Sequence, residues 1–151
     1  MMHLANNFSF RYIKDDKNVF TICRHKANII PQTNGKTVSP LRFQYYTEPF
    51  TDKKGVINNA LFAFSTSSLC YQWCKKIDKI RVIDDKLIDQ MELFDLPPAS
   101  IEDTMISQIE MPLYDVKTIS ETLHLPLMVI LSHQNDVFDV FYHNIEHKLK
   151  T

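Results

Sequence analysis

Several side chains in this 151-residue chain have types and spacings that could do chemistry. Cys70 and Cys74 stand four apart, so a helix turns both thiols to one side. Two thiolates make half of a tetrahedral zinc shell and need two further ligands. No second pair has metal-ligand spacing, and Leu69 and Trp73 share the stripe, so buried apolar thiols are expected. Cys23 and His25 fall on one face of a strand, as a nucleophile and base would. Catalytic pairs are usually assembled from separate elements with a third group orienting the base, so a structural role is expected here. His143 and His147 are one helical turn apart with Glu146 beside them. A zincin helix needs glutamate directly after the first histidine, and Asn144 stands there. A solvated tail is expected instead.

Carboxylate neighbours such as Asp84-Asp85 and Glu102-Asp103 diverge on a helix, whereas acid–base catalysis needs carboxylates facing a shared substrate. Thr33–Thr37 reads TNGKT, the tail of a phosphate-binding loop, but Ile30 occupies the place of its first glycine. Gly35 and Gly55 are the chain's two glycines, which excludes glycine-rich nucleotide fingerprints. No catalytic residue, cofactor or metal is expected, and the chain reads as non-enzymatic.

The elements that must position these residues are organised around Asn58–Ile77. Ala60–Phe64 is an apolar run with the mark of a buried strand, followed by small hydroxyl residues. A helix is expected over Ser67–Ile77, capped by Ser65 or Thr66, with Leu69, Cys70, Trp73, Cys74 and Ile77 on one face. Lys75 and Lys76 favour the negative end of its dipole. Upstream, Phe8, Phe10 and Tyr12 alternate with polar residues as a strand, and Val19–His25 returns as a second. Pro31–Pro40 is a polar loop, Leu41–Tyr46 a third strand, Pro49–Gly55 a connection and Val56–Phe64 the central strand. Strands joined in this way are expected to pair antiparallel.

Downstream, Ile80–Ile83 is a short strand. Helical spacing is read in Leu87, Ile88, Met91 and Phe94, and again from Ser100 in Ile101, Met105, Ile106 and Ile109. Asp115–Leu123 is a third helical piece with Val116, Ile119 and Leu123 inward, ended by Pro126. Leu127–Ser132 and Val137–Tyr142 flank Gln134-Asn135-Asp136 as a hairpin. The expected fold is α+β, an antiparallel sheet with helices packed on one face, in a single domain. Within it, residues 1–83 are basic and strand-rich, 84–115 acidic and helical, and 116–151 a C-terminal hairpin and tail.

Gly55 followed by the run ALFAFSTSSLCYQW resembles the N-terminal domain of the SseB family, small bacterial α+β domains. The matching positions are Gly55, Leu61, Phe62, Phe64, Ser65, Leu69 and Trp73. Ala63 and Ser65 depart from that pattern, where proline and threonine are usual. The resemblance covers about 25 of 151 residues and implies an accessory or interaction domain, with no catalytic residues to carry over.

A hydrophobic content of 44% with 23% charged residues is that of a globular chain. No signal peptide is evident, and no apolar run reaches the roughly 20 residues that span a bilayer. Three cysteines, an odd number, fit a reducing cytoplasm better than a disulfide framework. Net charge is −1, yet residues 1–83 hold thirteen Lys/Arg against five Asp/Glu, while residues 84–115 hold Lys86 against nine acids. That asymmetry points to an oppositely charged protein partner or to pairing within the fold. The expected function is non-catalytic protein binding, in the manner of an inhibitor or immunity protein set against a basic partner. The candidate contacts are Asp89, Glu92, Asp95, Glu102 and Asp103. The alternatives are an accessory module of a larger bacterial complex, or a nucleic-acid-binding surface made by Arg11, Tyr12, Arg24, Arg42, Tyr45 and Tyr46. Nucleic acid is the weaker alternative, because the acidic third of the chain repels phosphates.

Overall fold

The computed structural model describes residues 8–10, 12–26, 44–51, 57–77, 80–84, 86–89, 104–134 and 137–143. Ten strands and two helices follow one another along these residues. They are β1 (Phe8–Phe10), β2 (Asn18–Lys26), β3 (Gln44–Tyr45), β4 (Thr47–Thr51), β5 (Ile57–Phe64), α1 (Ser67–Lys76), β6 (Ile80–Ile83), β7 (Lys86–Asp89), β8 (Thr104–Pro112), α2 (Leu113–Leu123), β9 (Leu127–Gln134) and β10 (Val137–His143). The architecture is α+β, and among the described residues no helix is long and apolar enough to cross a membrane.

The main sheet runs β1-β10-β9-β5-β2, with β8 on the far side of β2. Its pairing is mixed rather than purely antiparallel: β1 lies parallel to β10, and β5 parallel to β9. The expected pairing of the first two strands is therefore replaced. β2 instead pairs along its whole length with β8, from Asn18↔Pro112 to Lys26↔Thr104.

Between β2 and β5 the sheet forks. The two strands pair directly at Phe20↔Phe64 and Thr21↔Ala63, then diverge around β3 and β4. β3 pairs with β2 and β4 with β5. Tyr46 sits at the fork, donating its amide to Ile22 O at 2.9 Å and accepting at its carbonyl from Phe62 N at 3.3 Å. Pro49, expected in a connection, lies inside β4 opposite Asn59. Among the described residues β4 pairs on one edge alone, so a proline without an N–H costs no ladder bond.

Both faces of this sheet are covered, which corrects the expectation of helices on one face. Ala60, Phe62 and Phe64 of β5 face α1 through Leu69, Cys70, Trp73 and Cys74. Leu61 and Ala63 face α2 through Leu113, Val116 and Ile119. The same parity split recurs in β9, where Met128 and Ile130 join the first cluster and Leu127 and Val129 the second.

The two helices are capped differently. Thr66 Oγ1 accepts from Leu69 N at 3.1 Å at the start of α1, a contact typically worth about 1 kcal/mol. At α2 the N-cap position is Pro112, and the backbone carbonyls of Asp15 and Lys17 accept from Tyr114 N and Leu113 N instead. The helix ends as expected before Pro126. His124 takes the left-handed conformation at φ 56°, with its amide bonded to Glu121 O and the amide of Leu125 to Ser120 O. This double closure is a Schellman motif.

Where the residues are described, two expected helices are replaced by strands. β7 replaces the start of the helix read from Leu87, and β8 replaces the helix read from Ser100. In β8 successive residues alternate, with Met105 47% exposed and Ile106 6%. Ile109 and Met111 face the α2 side while Ile106 faces the α1 side. Apolar residues on both faces of a strand imitate helical spacing.

Candidate functional site

The C-terminal part of α1 lies beside the β9–β10 hairpin, and a groove opens between them. Its lining is Leu69, Gln72, Trp73, Lys76, Ile130, His133 and Phe138, around about 210 Å³ of space open to solvent. Helical spacing brings Leu69, Gln72, Trp73 and Lys76 to one side of α1. Hairpin register brings His133 opposite Phe138. The floor is apolar and nearly buried: Leu69, Trp73, Ile130 and Phe138 all belong to the core. Gln72 and Lys76 are exposed and form the rim with half-buried His133.

One ring organises the rim. The His133 imidazole stacks on Phe138 with centroids 4.3 Å apart and planes 12° from parallel. Lys76 Nζ lies 5.8 Å from the centre of the same phenyl ring and 3.0 Å from His133 Nδ1. Phe138 in turn meets Trp73 edge-on at 5.7 Å.

A buried polar chain fixes the floor from below. Trp73 Nε1 donates to Tyr46 Oη at 3.0 Å, and Tyr46 donates to Glu48 Oε2 at 2.6 Å. Burial, followed by the Glu48 carboxylate, pushes the Tyr46 phenol well up, so it remains a donor at all physiological pH. The indole is thereby held in one orientation beneath the groove. Trp73 is legible in the sequence as a core residue; Lys76, His133 and Phe138 lie 57 or more residues away from α1 or on its exposed side, with no local signal joining them.

The sequence-predicted site residues distribute differently. Glu92, Asp95, Glu102 and Asp103 lie outside the described residues. Asp89 ends β7, where the register sets it opposite Ile80. One face of the β6–β7 ribbon is open to solvent and carries Arg81, Ile83, Lys86 and Ile88. Ile83 and Ile88 are 41% and 44% exposed. Of the acidic segment, this outer face carries Lys86 and Ile88, while Arg81 and Ile83 belong to β6 just before it.

Of the described residues proposed for nucleic acid, Arg24, Tyr45 and Tyr46 are 3%, 5% and 0% exposed and Tyr12 is open to solvent, while Arg11 and Arg42 lie outside the described residues. Stacking platforms need exposed rings.

Cys23 and His25 do not pair as nucleophile and base. His25 Nε2 is 2.9 Å from Ser107 Oγ on β8, and burial pushes the Cys23 thiol up to about 12, which keeps it protonated. Cys70 and Cys74 are both buried on α1 as expected; Cys74 beside it, together with burial, pushes the Cys70 thiol up. His143 ends a strand rather than lying on a helix, and its Nε2 is 3.4 Å from Glu121 Oε1; His147 lies outside the described residues. Among the described residues no three His, Cys, Asp or Glu side chains converge as a metal shell.

Fold and site together define an α+β domain whose sheet is covered on both faces, with a small groove at the seam of one helix and a hairpin. No family model, curated protein or solved structure matches the chain.

Proposed function

We propose that the protein is a non-catalytic protein-binding domain that receives one apolar side chain of its partner in the α1/β9–β10 groove. The observation that carries this reading is the seating of Trp73 and Phe138 as a rigid apolar floor inside a polar rim. Interface hot spots have this anatomy, an aromatic pocket ringed by groups that exclude water.

The role of accessory module in a larger bacterial assembly follows from this reading. The SseB-like resemblance supports the same role, since Leu69 and Trp73 carry both the resemblance and the groove. A reducing, cytoplasmic setting is part of the proposal and accords with three free cysteines.

A second reading rests on the nine acids of residues 84–115. In it, Asp89, Glu92, Asp95, Glu102 and Asp103 oppose a basic partner, as in an inhibitor or immunity protein, and association is fast and salt-sensitive.

Affinity capture from the native cell's lysate at low and high salt separates the two, with three baits compared. The wild type is set against Gln72→Phe, which fills the groove from its exposed rim, and against Glu92→Lys/Asp95→Lys. A stoichiometric partner kept at high salt and lost with Gln72→Phe is the expected result. A partner lost at high salt and with the double reversal moves the function to the acidic segment. A partner indifferent to both changes refutes both surfaces.

A further inference from the structure

We propose that the open face of the β6–β7 ribbon is a second partner-facing surface, one that takes an acidic, apolar segment of another protein. It is separate from the groove and does not rest on it.

Sequence and register build this face. Each strand carries a cation two positions before an isoleucine, Arg81 and Ile83 on β6, Lys86 and Ile88 on β7. Alternation along a strand turns both members of such a pair to one side. The antiparallel register sets Arg81 across from Ile88 and Lys86 across from Ile83, so cations and isoleucines alternate over the face. The opposite side is committed to the core, where Ile80 and Leu87 are buried and Val82 is partly buried. Strands with one buried face ordinarily put polar residues on the other. Among the described residues the exposed large hydrophobics without a ring are Ile83, Ile88 and Met105, and two of these three lie together here. Among the described residues neither Arg81 nor Lys86 has an ion-pair partner. The face therefore offers uncompensated positive charge between two apolar groups.

That pattern selects the occupant. A second copy docking through the same face would set Arg81 and Lys86 against two further cations, which repel. Anionic lipid is disfavoured because exposed Asp84, left-handed at φ 49°, starts the turn that joins the strands and would enter the headgroups with them. A nucleic-acid backbone would meet the cations and leave the isoleucines unused. An extended protein segment with glutamate and leucine two positions apart puts both on one side, at the spacing of Arg81 to Ile83. Four side chains make a small contact, so the association is weak, transient and sensitive to salt.

The full chain, isotope-labelled for backbone-amide NMR, is titrated with acetyl-Glu-Ser-Leu-Ser-Glu-Ser-Leu-amide. The same peptide with Lys in place of each Glu, and another with Ser in place of each Leu, are run in parallel. The expected result is a saturable shift of the amides of residues 80–89 with the first peptide, at least about tenfold weaker binding of the lysine peptide and severalfold weaker binding of the serine peptide. Arg81→Glu/Lys86→Glu should invert the preference between the glutamate and lysine peptides, an inversion that misfolding would not produce. Ile83→Thr/Ile88→Thr should keep the preference and weaken the glutamate peptide severalfold. Equal binding of the glutamate and lysine peptides, a preference unmoved by the charge reversal, shifts centred outside the ribbon, or no saturable shift would each overturn the proposal. Gln72→Phe should leave the titration unchanged, so failure of the groove as a binding site is seen separately.

Discussion

The indole N–H of Trp73 donates to the phenolic oxygen of Tyr46 at 3.0 Å, tying helix α1 to the point where the sheet forks. Tyr46 is fully buried, its backbone bridges β2 and β5, and its hydroxyl passes the hydrogen bond on to Glu48. The Trp73 ring is also the floor of the groove, so the geometry of the site depends on a tyrosine that does not line it.

Tyr46→Phe removes the shared hydroxyl while keeping the ring. The indole loses its acceptor and the buried Glu48 carboxylate loses a donor. Stability should fall by about 2–4 kcal/mol, the cost of disrupting a buried hydrogen bond to a charged group. Urea denaturation followed by Trp73 fluorescence measures it. A loss below roughly 0.5 kcal/mol, the range of neutral surface changes, would show that the chain of hydrogen bonds is dispensable.

His124 holds the left-handed position that closes α2, and it is exposed. A Cβ there is unfavourable and glycine is the preferred residue. His124→Gly should therefore stabilise the protein, by roughly 0.5–1 kcal/mol. An unchanged or lowered midpoint in the same denaturation would mean that the imidazole makes a compensating contact.

Met105 and Ile106 distinguish strand β8 from the helix its spacing imitates. In the strand the two alternate between solvent and core; on one side of a helix both would be buried. Met105→Glu should be tolerated within about 0.5 kcal/mol. Ile106→Glu should cost several kcal/mol, about 3 or more, because it buries an unpaired charge. Equal damage from the two would refute the strand.

Alkali should weaken the fold through Cys23. Its thiol stands at about 12 in the native protein against an ordinary 9.0, raised by burial. The folded state thus holds the proton more tightly than the unfolded one. The stability from this group is complete below pH 9 and is lost as pH rises towards about 12, by at most about 1.4 kcal/mol per pH unit. Burial, and then the neighbouring Cys23, pushes the Tyr45 phenol up as well, which adds in the same direction. Cys23→Ala should flatten the alkaline limb of a stability–pH curve. A limb equally steep without the thiol would assign the effect elsewhere. The same burial predicts that Cys23 resists alkylation at pH 8 until the protein is unfolded.

Local chemistry was enough to place some of this structure. The Thr66 cap with the Leu69–Cys70–Trp73–Cys74 stripe marked α1, the Val116–Ile119–Leu123 spacing marked α2, and turn residues between two apolar runs marked the β9–β10 hairpin. Each of those signals is complete within a dozen or so residues. What the tertiary structure decided is which strands meet. Tyr46 forking β2 from β5, β1 lying along β10, and β5 lying parallel to β9 are pairings between segments far apart in the chain, whose partners are set by competition among many sequences of similar apolarity. Two-sided burial also erased the period-two mark of β8, since Ile106 and Ile109 serve opposite faces. The groove belongs to the same class. Trp73 was readable as core, but its meeting with His133 and Phe138 exists through the packing of α1 on the hairpin, a contact that no local pattern encodes.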